Sequence, residues 1–149
     1  MRMESQETIP HSNYRGNDAQ PHGILLAQWA ADKKATNVRL YDVRKGCSYA
    51  DYVLIASGNS DRHVVAIAEN LKEASKKAGH IPLGTEGFQE GHWALIDFGD
   101  VVAHVFYEPV RAYYELDRLW GEEATEIVVP GLATTSEPSY LDDNDDDDE

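Results

Sequence analysis

The chain has 149 residues, enough for one domain with a real core. Its 27 acidic and 13 basic side chains give a net charge of -14, which argues against unaided binding to nucleic acid, whose affinity comes mostly from Lys and Arg, and suits a basic protein partner. A single cysteine, Cys47, excludes an internal disulfide and fits a reducing compartment, and no apolar run approaches the length of a membrane span.

Residues Met1 to Pro21 are rich in Ser, Asn, Gln, Glu and Pro and read as a mobile arm, without the apolar stretch of a secretory signal. A helix is predicted from Ile24 to Ala35, where Leu25, Leu26, Trp29 and Ala30 form a stripe and Lys33 and Lys34 fall in the last turn. Val38–Val43 reads as a short strand and Lys45-Gly46 as a turn. Asp51–Ser57 is almost continuously apolar, the pattern of a strand covered on both faces. Ser60 is placed to cap a second helix, with Asp61 in its first turn and Lys72, Lys76 and Lys77 towards its end. Val64, Ile67, Ala68, Leu71, Ala74 and Ala78 mark the buried side of that helix, and Gly79 its stop.

A short strand is predicted near Ile81–Leu83, followed by the glycine-rich loop to Gly91. Trp93 to Tyr107 then reads as a hairpin turning at Phe98-Gly99-Asp100. Because side chains alternate along a strand, Ala94, Ile96 and Phe98 share one face, and Trp93, Leu95 and Asp97 the other. Pro109 opens a last helix with Val110, Tyr113, Tyr114, Leu116, Leu119 and Trp120 on its buried side, ending at Gly121. Ile127-Val128-Val129 is a candidate edge strand. Asp142–Glu149 holds seven of the 27 acids and should be disordered; without those seven, 20 acids still face 13 bases. The domain is therefore expected over residues 22–121, between an arm at 1–21 and an acidic tail at 122–149. Two hairpin-like joins call for a mixed sheet packed with helices, an α/β (α+β) fold.

Signals for chemistry are weak. His63, His80, His92 and His104 do not pair at ligand spacing and Cys47 stands alone, so no metal site is expected. Asp97-Phe98-Gly99 lacks every other kinase element and reads as a turn. Ser57-Gly58-Asn59-Ser60, between a strand and a helix, has the form of a phosphate cradle but lacks the P-loop ending, and a capped helix entry explains it. Trp93 carries more information. A strand tryptophan is usually core, and the row Trp93, Leu95 and Asp97 is either covered by a helix or presented to a partner. Set after a glycine-rich loop and on one face with that carboxylate, Trp93 also has the makings of an interface anchor, with Arg62 and Glu86 as a polar rim.

Four stretches resemble the Iojap family, whose bacterial members are the ribosomal silencing factors (RsfS). They are Ala50–Val64, Pro82–Gly87, Trp93–Phe106 and Arg111–Trp120, in order within Ile24–Gly121. The resemblance implies a protein that is not an enzyme and needs no cofactor. It implies binding to the large ribosomal subunit through ribosomal protein fourteen at the intersubunit face, which blocks joining of the small subunit and represses translation. A part in large-subunit biogenesis, a homodimer when free and a cytoplasmic, ribosome-associated location are also implied. So is a nucleotidyltransferase-like topology without the catalytic carboxylates. By the same resemblance Trp93 corresponds to the tryptophan of the partner-facing sheet, and Asp97 and Asp100 to acids of its hairpin. Arg62, Glu86 and Gly87 match as well, and Leu95 lies on the same face. The alternatives are a nucleotidyltransferase-like or nucleotide-binding protein, motivated by the Gly58–Ser60 helix entry, and a scaffold module unrelated to ribosomes.

Overall fold

A computed structural model of the chain describes residues 19–46, 49–114, 118 and 123–132. Among the described residues three α-helices, α1 (Gln20–Asp32), α2 (Asp61–Lys77) and α3 (Glu108–Tyr114), accompany six strands. The strands are β1 (Thr36–Asp42), β2 (Tyr52–Gly58), β3 (Gly84–Glu86), β4 (Trp93–Asp97), β5 (Val101–Tyr107) and β6 (Thr125–Ile127). They form one sheet in the order β3-β4-β5-β2-β1-β6. Only the central pair β2–β5 is parallel; every other pair is antiparallel. This is the mixed sheet that the two tight joins demand.

The continuous apolar run of β2 is buried at all seven positions. Tyr52, Leu54 and Ala56 enter a core shared with Leu26 and Ala30 of α1 and Val64, Ile67 and Leu71 of α2. On the other side Val53 and Ile55 pack with Val43, Phe106 and the half-buried Val110 of α3. Two helices thus seal one face of the sheet, and one short helix covers part of the other.

Helix α2 begins where its cap predicts, with the Ser60 hydroxyl accepting from the His63 N–H at 3.0 Å, and Gly79 stops it with φ +97°. Its buried stripe ends on Ser75 while Ala78 is exposed, because the Ser75 hydroxyl meets the His22 imidazole of α1 at 2.9 Å.

Several boundaries differ from the sequence reading. Helix α1 starts at Gln20, inside the stretch assigned to the arm, with Pro21 in its first turn where a missing N–H does no harm. It also ends earlier, at Asp32: Lys33 is the C-cap and Lys34 takes a left-handed φ of +67°, so both lysines lie past the last turn. Strand β3 forms three residues later than expected, leaving Ile81 and Leu83 exposed. Strand β6 pairs with β1 through Thr125–Ile127, two residues before the predicted position. In α3 Val110 packs inward as expected, but Tyr113 is exposed. Leu116, Leu119, Trp120 and Gly121 lie outside the described residues, as do nearly all of the predicted arm and the acidic end of the tail.

Candidate functional site

Alternation along β4 separates the hairpin's two jobs. Ala94 and Ile96 are fully buried beneath α1 and α2. Trp93, Leu95 and Asp97 point to the opposite face, where Trp93 stays 39 % exposed and the other two are half-buried. The cross-strand register extends this face. Trp93 lies opposite Phe106, Leu95 opposite His104, and Asp97 opposite Val102. On the outer side Glu86 of β3 lies opposite Leu95, so its carboxylate shares the face and is exposed.

The indole is held from behind. Its Nε1–H donates to His104 Nδ1 at 3.0 Å, and its ring meets Phe106 at 4.8 Å between centroids. His104 stacks nearly parallel on Phe106, at 5.8 Å and 4°. Because His104 Nδ1 accepts a hydrogen bond, the neutral ring carries its proton on Nε2. Burial favours that neutral form and lowers the His104 pKa to about 4.

Asp97 fixes the turn at the far end of the strand, where its Oδ1 accepts the Gly99 N–H at 2.8 Å and Gly99 adopts φ +94°. Gly87 is required at the near end. It has φ +81°, and a Cβ there would collide with the Trp93 carbonyl oxygen. The loop after it is anchored on both sides: Gly91 N–H donates to Gly87 O at 3.0 Å, and His92 Nδ1 lies 3.1 Å from Asp61 Oδ1 at the start of α2.

The candidate residues therefore divide. Trp93, Leu95, Asp97, Glu86 and Gly87 come together on β4 and its edge. Arg62 stands exposed in the first turn of α2, next to Asp61, whose carboxylate meets His92 just before Trp93. Asp100 lies past the turn at the other end, where its carbonyl accepts the N–H groups of Asp51 and Tyr52. His104 and Phe106 are members of the site that the sequence reading did not single out. A signal for both existed: the hairpin register places them behind Trp93 and Leu95, and His104 is the one polar side chain amid Val101–Phe106.

The helix entry after β2 is occupied by its own side chains. Asn59 N–H donates to His63 Nδ1 at 2.9 Å, the Ser60 hydroxyl takes the His63 N–H, and the Ser60 carbonyl takes that of Val64. His63 Nε2 lies 2.8 Å from the Lys33 carbonyl, tying α2 to the end of α1. These contacts account for the serine as a cap, and they engage the Asn59, His63 and Val64 N–H groups around the helix start. Among the described residues, no three His, Cys, Asp or Glu side chains gather as metal ligands.

A family model described as "Ribosomal silencing factor during starvation" (RsfS) matches residues 17–149. The chain belongs to the RsfS family. The match runs beyond both ends of the Ile24–Gly121 stretch and takes in the acidic tail. The ribosomal silencing factor RsfS of Bacillus subtilis is 44% identical over 98 residues, which is 66% of this chain and 83% of that protein. Protein Iojap-related, mitochondrial, of Arabidopsis thaliana is 36% identical over 99 residues, 64% of this chain and 54% of that protein. A crystal structure of a Chromobacterium violaceum protein superposes with a TM-score of 0.68 at 32% identity, covering 79% of this chain and 97% of that one. One from Bacillus halodurans gives 0.61 at 39% identity, covering 70% and 96%. The RsfS fold is thus the fold described above, and the open β4 face is this chain's candidate docking surface.

Proposed function

We propose that this chain is a ribosome-associated repressor of translation that works by occupying space. The β4 face docks on the large ribosomal subunit through ribosomal protein fourteen, and the body of the domain then excludes the small subunit. One observation carries this reading: Trp93 lies on a sheet face that no helix among the described residues seals, with Leu95 and Glu86 beside it and Asp97 at the far end of the same row. An aromatic anchor ringed by polar groups is how binding hot spots are built. The acidic flanks suit a basic ribosomal protein and oppose adsorption on rRNA. Family membership and the names of the relatives support the assignment to ribosome silencing. No bond need be made or broken, and the protein acts in the compartment where ribosomes work. No helix among the described residues is long and apolar enough to cross a membrane.

Truncating the anchor tests the proposal. Trp93→Ala should weaken binding to purified large subunits by about 2–4 kcal/mol, between one and three decades in affinity. Co-sedimentation with the fold verified by circular dichroism reads this, and undiminished binding by the folded variant defeats the assignment.

A further inference from the structure

We propose that His104 is a positioning residue for the docking face: it holds the Trp93 indole by its N–H, so that a partner meets the carbon surface of the ring and not its polar edge. The inference rests on the docking reading given above. Its ground is the geometry behind the indole. His104 is only 5 % exposed, at the middle of a strand whose neighbouring residues are Ala103 and Val105. The residues opposite it on either side are apolar, Leu95 of β4 and Ile55 of β2. A valine or leucine would fill such a place without desolvating two ring nitrogens. Packing alone thus gives no reason for an imidazole there.

The imidazole does what an aliphatic side chain cannot. Its Nδ1 accepts the indole N–H at 3.0 Å, and its ring plane is set by stacking on Phe106 at 4°. Phe106 also supports the indole, at 4.8 Å and a 51° tilt. With its donor bonded and one side against Phe106, the indole is fixed before any partner arrives. Fixing a contact side chain in advance removes part of the ordering cost of association. The exposed remainder of the ring is carbon surface on a face that also carries the exposed Glu86, opposite Leu95. That arrangement suits an apolar or cationic side chain of a basic partner lying over the ring. Burial keeps His104 neutral at ordinary pH, which preserves the acceptor.

Uniformly 15N-labelled full-length protein gives an indole N–H signal for each tryptophan, and Trp93→Phe identifies the one from Trp93. In the wild type that signal should lie downfield and exchange slowly with water. His104→Leu should shift it upfield and speed its exchange. His104→Asn should restore both, since the asparagine side-chain oxygen stands near the place of Nδ1. Affinity for purified large subunits should fall about tenfold in His104→Leu, the scale of one hydrogen bond, and stay within about threefold in His104→Asn. Equal affinities for wild type, Leu and Asn variants, with Trp93→Ala still weakened, overturn the positioning role and leave the docking reading intact. Full binding by Trp93→Ala overturns the docking reading instead, and the indole signals then report the hydrogen bond by itself. If His104→Leu does not fold, the wild-type signal decides: an indole N–H that exchanges as fast as that of free tryptophan overturns the inference.

Discussion

Beneath α1 and α2, Ala94, Ile96, Ala103 and Val105 lose all contact with water, while on the other side of the same hairpin Trp93 remains 39 % exposed and Leu95 and Asp97 half so. A shift of one residue along the strand separates these environments, because successive side chains point to opposite sides. The helix-covered face is closed by aliphatic packing. The open face is braced at the indole by a histidine and a phenylalanine, and at the turn by an aspartate. An apolar face stabilises by staying shut, whereas a docking face must hold its shape while still exposed to water. Braces made from hydrogen bonds and stacked rings meet that second need.

Substitutions on β4 test this contrast most directly. Ile96→Ala should lower folding stability by about 2–5 kcal/mol through the cavity it leaves under the helices. Leu95→Ala, on the open face, should lower it by less than about 1 kcal/mol. Urea denaturation of the two variants side by side measures the difference, and equal losses would mean that both faces are core.

Acidification probes one buried imidazole on each face. Burial and, secondarily, the charge of His80 lower the pKa of His22, on the buried side of α1, to about 3, and burial lowers that of His104 to about 4. An unfolded chain takes up these protons near the usual pKa of about 6.5. The folded chain resists them, so stability is full above that pH and lost as pH falls towards about 4 and then 3. The loss between pH 7 and 4.5 should be on the order of a few kcal/mol. Urea midpoints at pH 7, 5.5 and 4.5 would show it, and His22→Asn should flatten the dependence if that ring contributes as described.

The smallest effect is expected at the capped helix entry. Ser60→Ala removes the acceptor for the His63 N–H and should cost about 1 kcal/mol of stability without altering large-subunit binding. If instead binding collapsed while stability held, the entry to α2 would belong to the docking surface together with Arg62.

Much of the fold was legible because its signals are local. The 3.6-residue repeat of α2 with its serine cap, the unbroken apolar run of β2, and the Gly99 turn each depend on residues close in sequence. The errors fall where distant contacts decide. Ser75 is buried because His22, 53 residues away in sequence, meets its hydroxyl. Tyr113 is exposed although the helical stripe placed it inward, since α3 contributes Val110 to the packing. At the site, the row Trp93, Leu95 and Asp97 followed from alternation alone. Glu86 joined it only when β3 paired with β4, and Arg62 and Asp100 proved to stand at opposite ends of the strand.

Periodicity, caps and turn residues in the sequence were by themselves enough to determine a mixed sheet with helices and a strand that sets Trp93, Leu95 and Asp97 on one side. Which side would be sealed, and what would brace the side left open, was decided only by tertiary structure. The cause is physical: the strand order sets which side chains lie opposite Trp93 and which helices cover it, and both depend on segments that meet only when the chain folds.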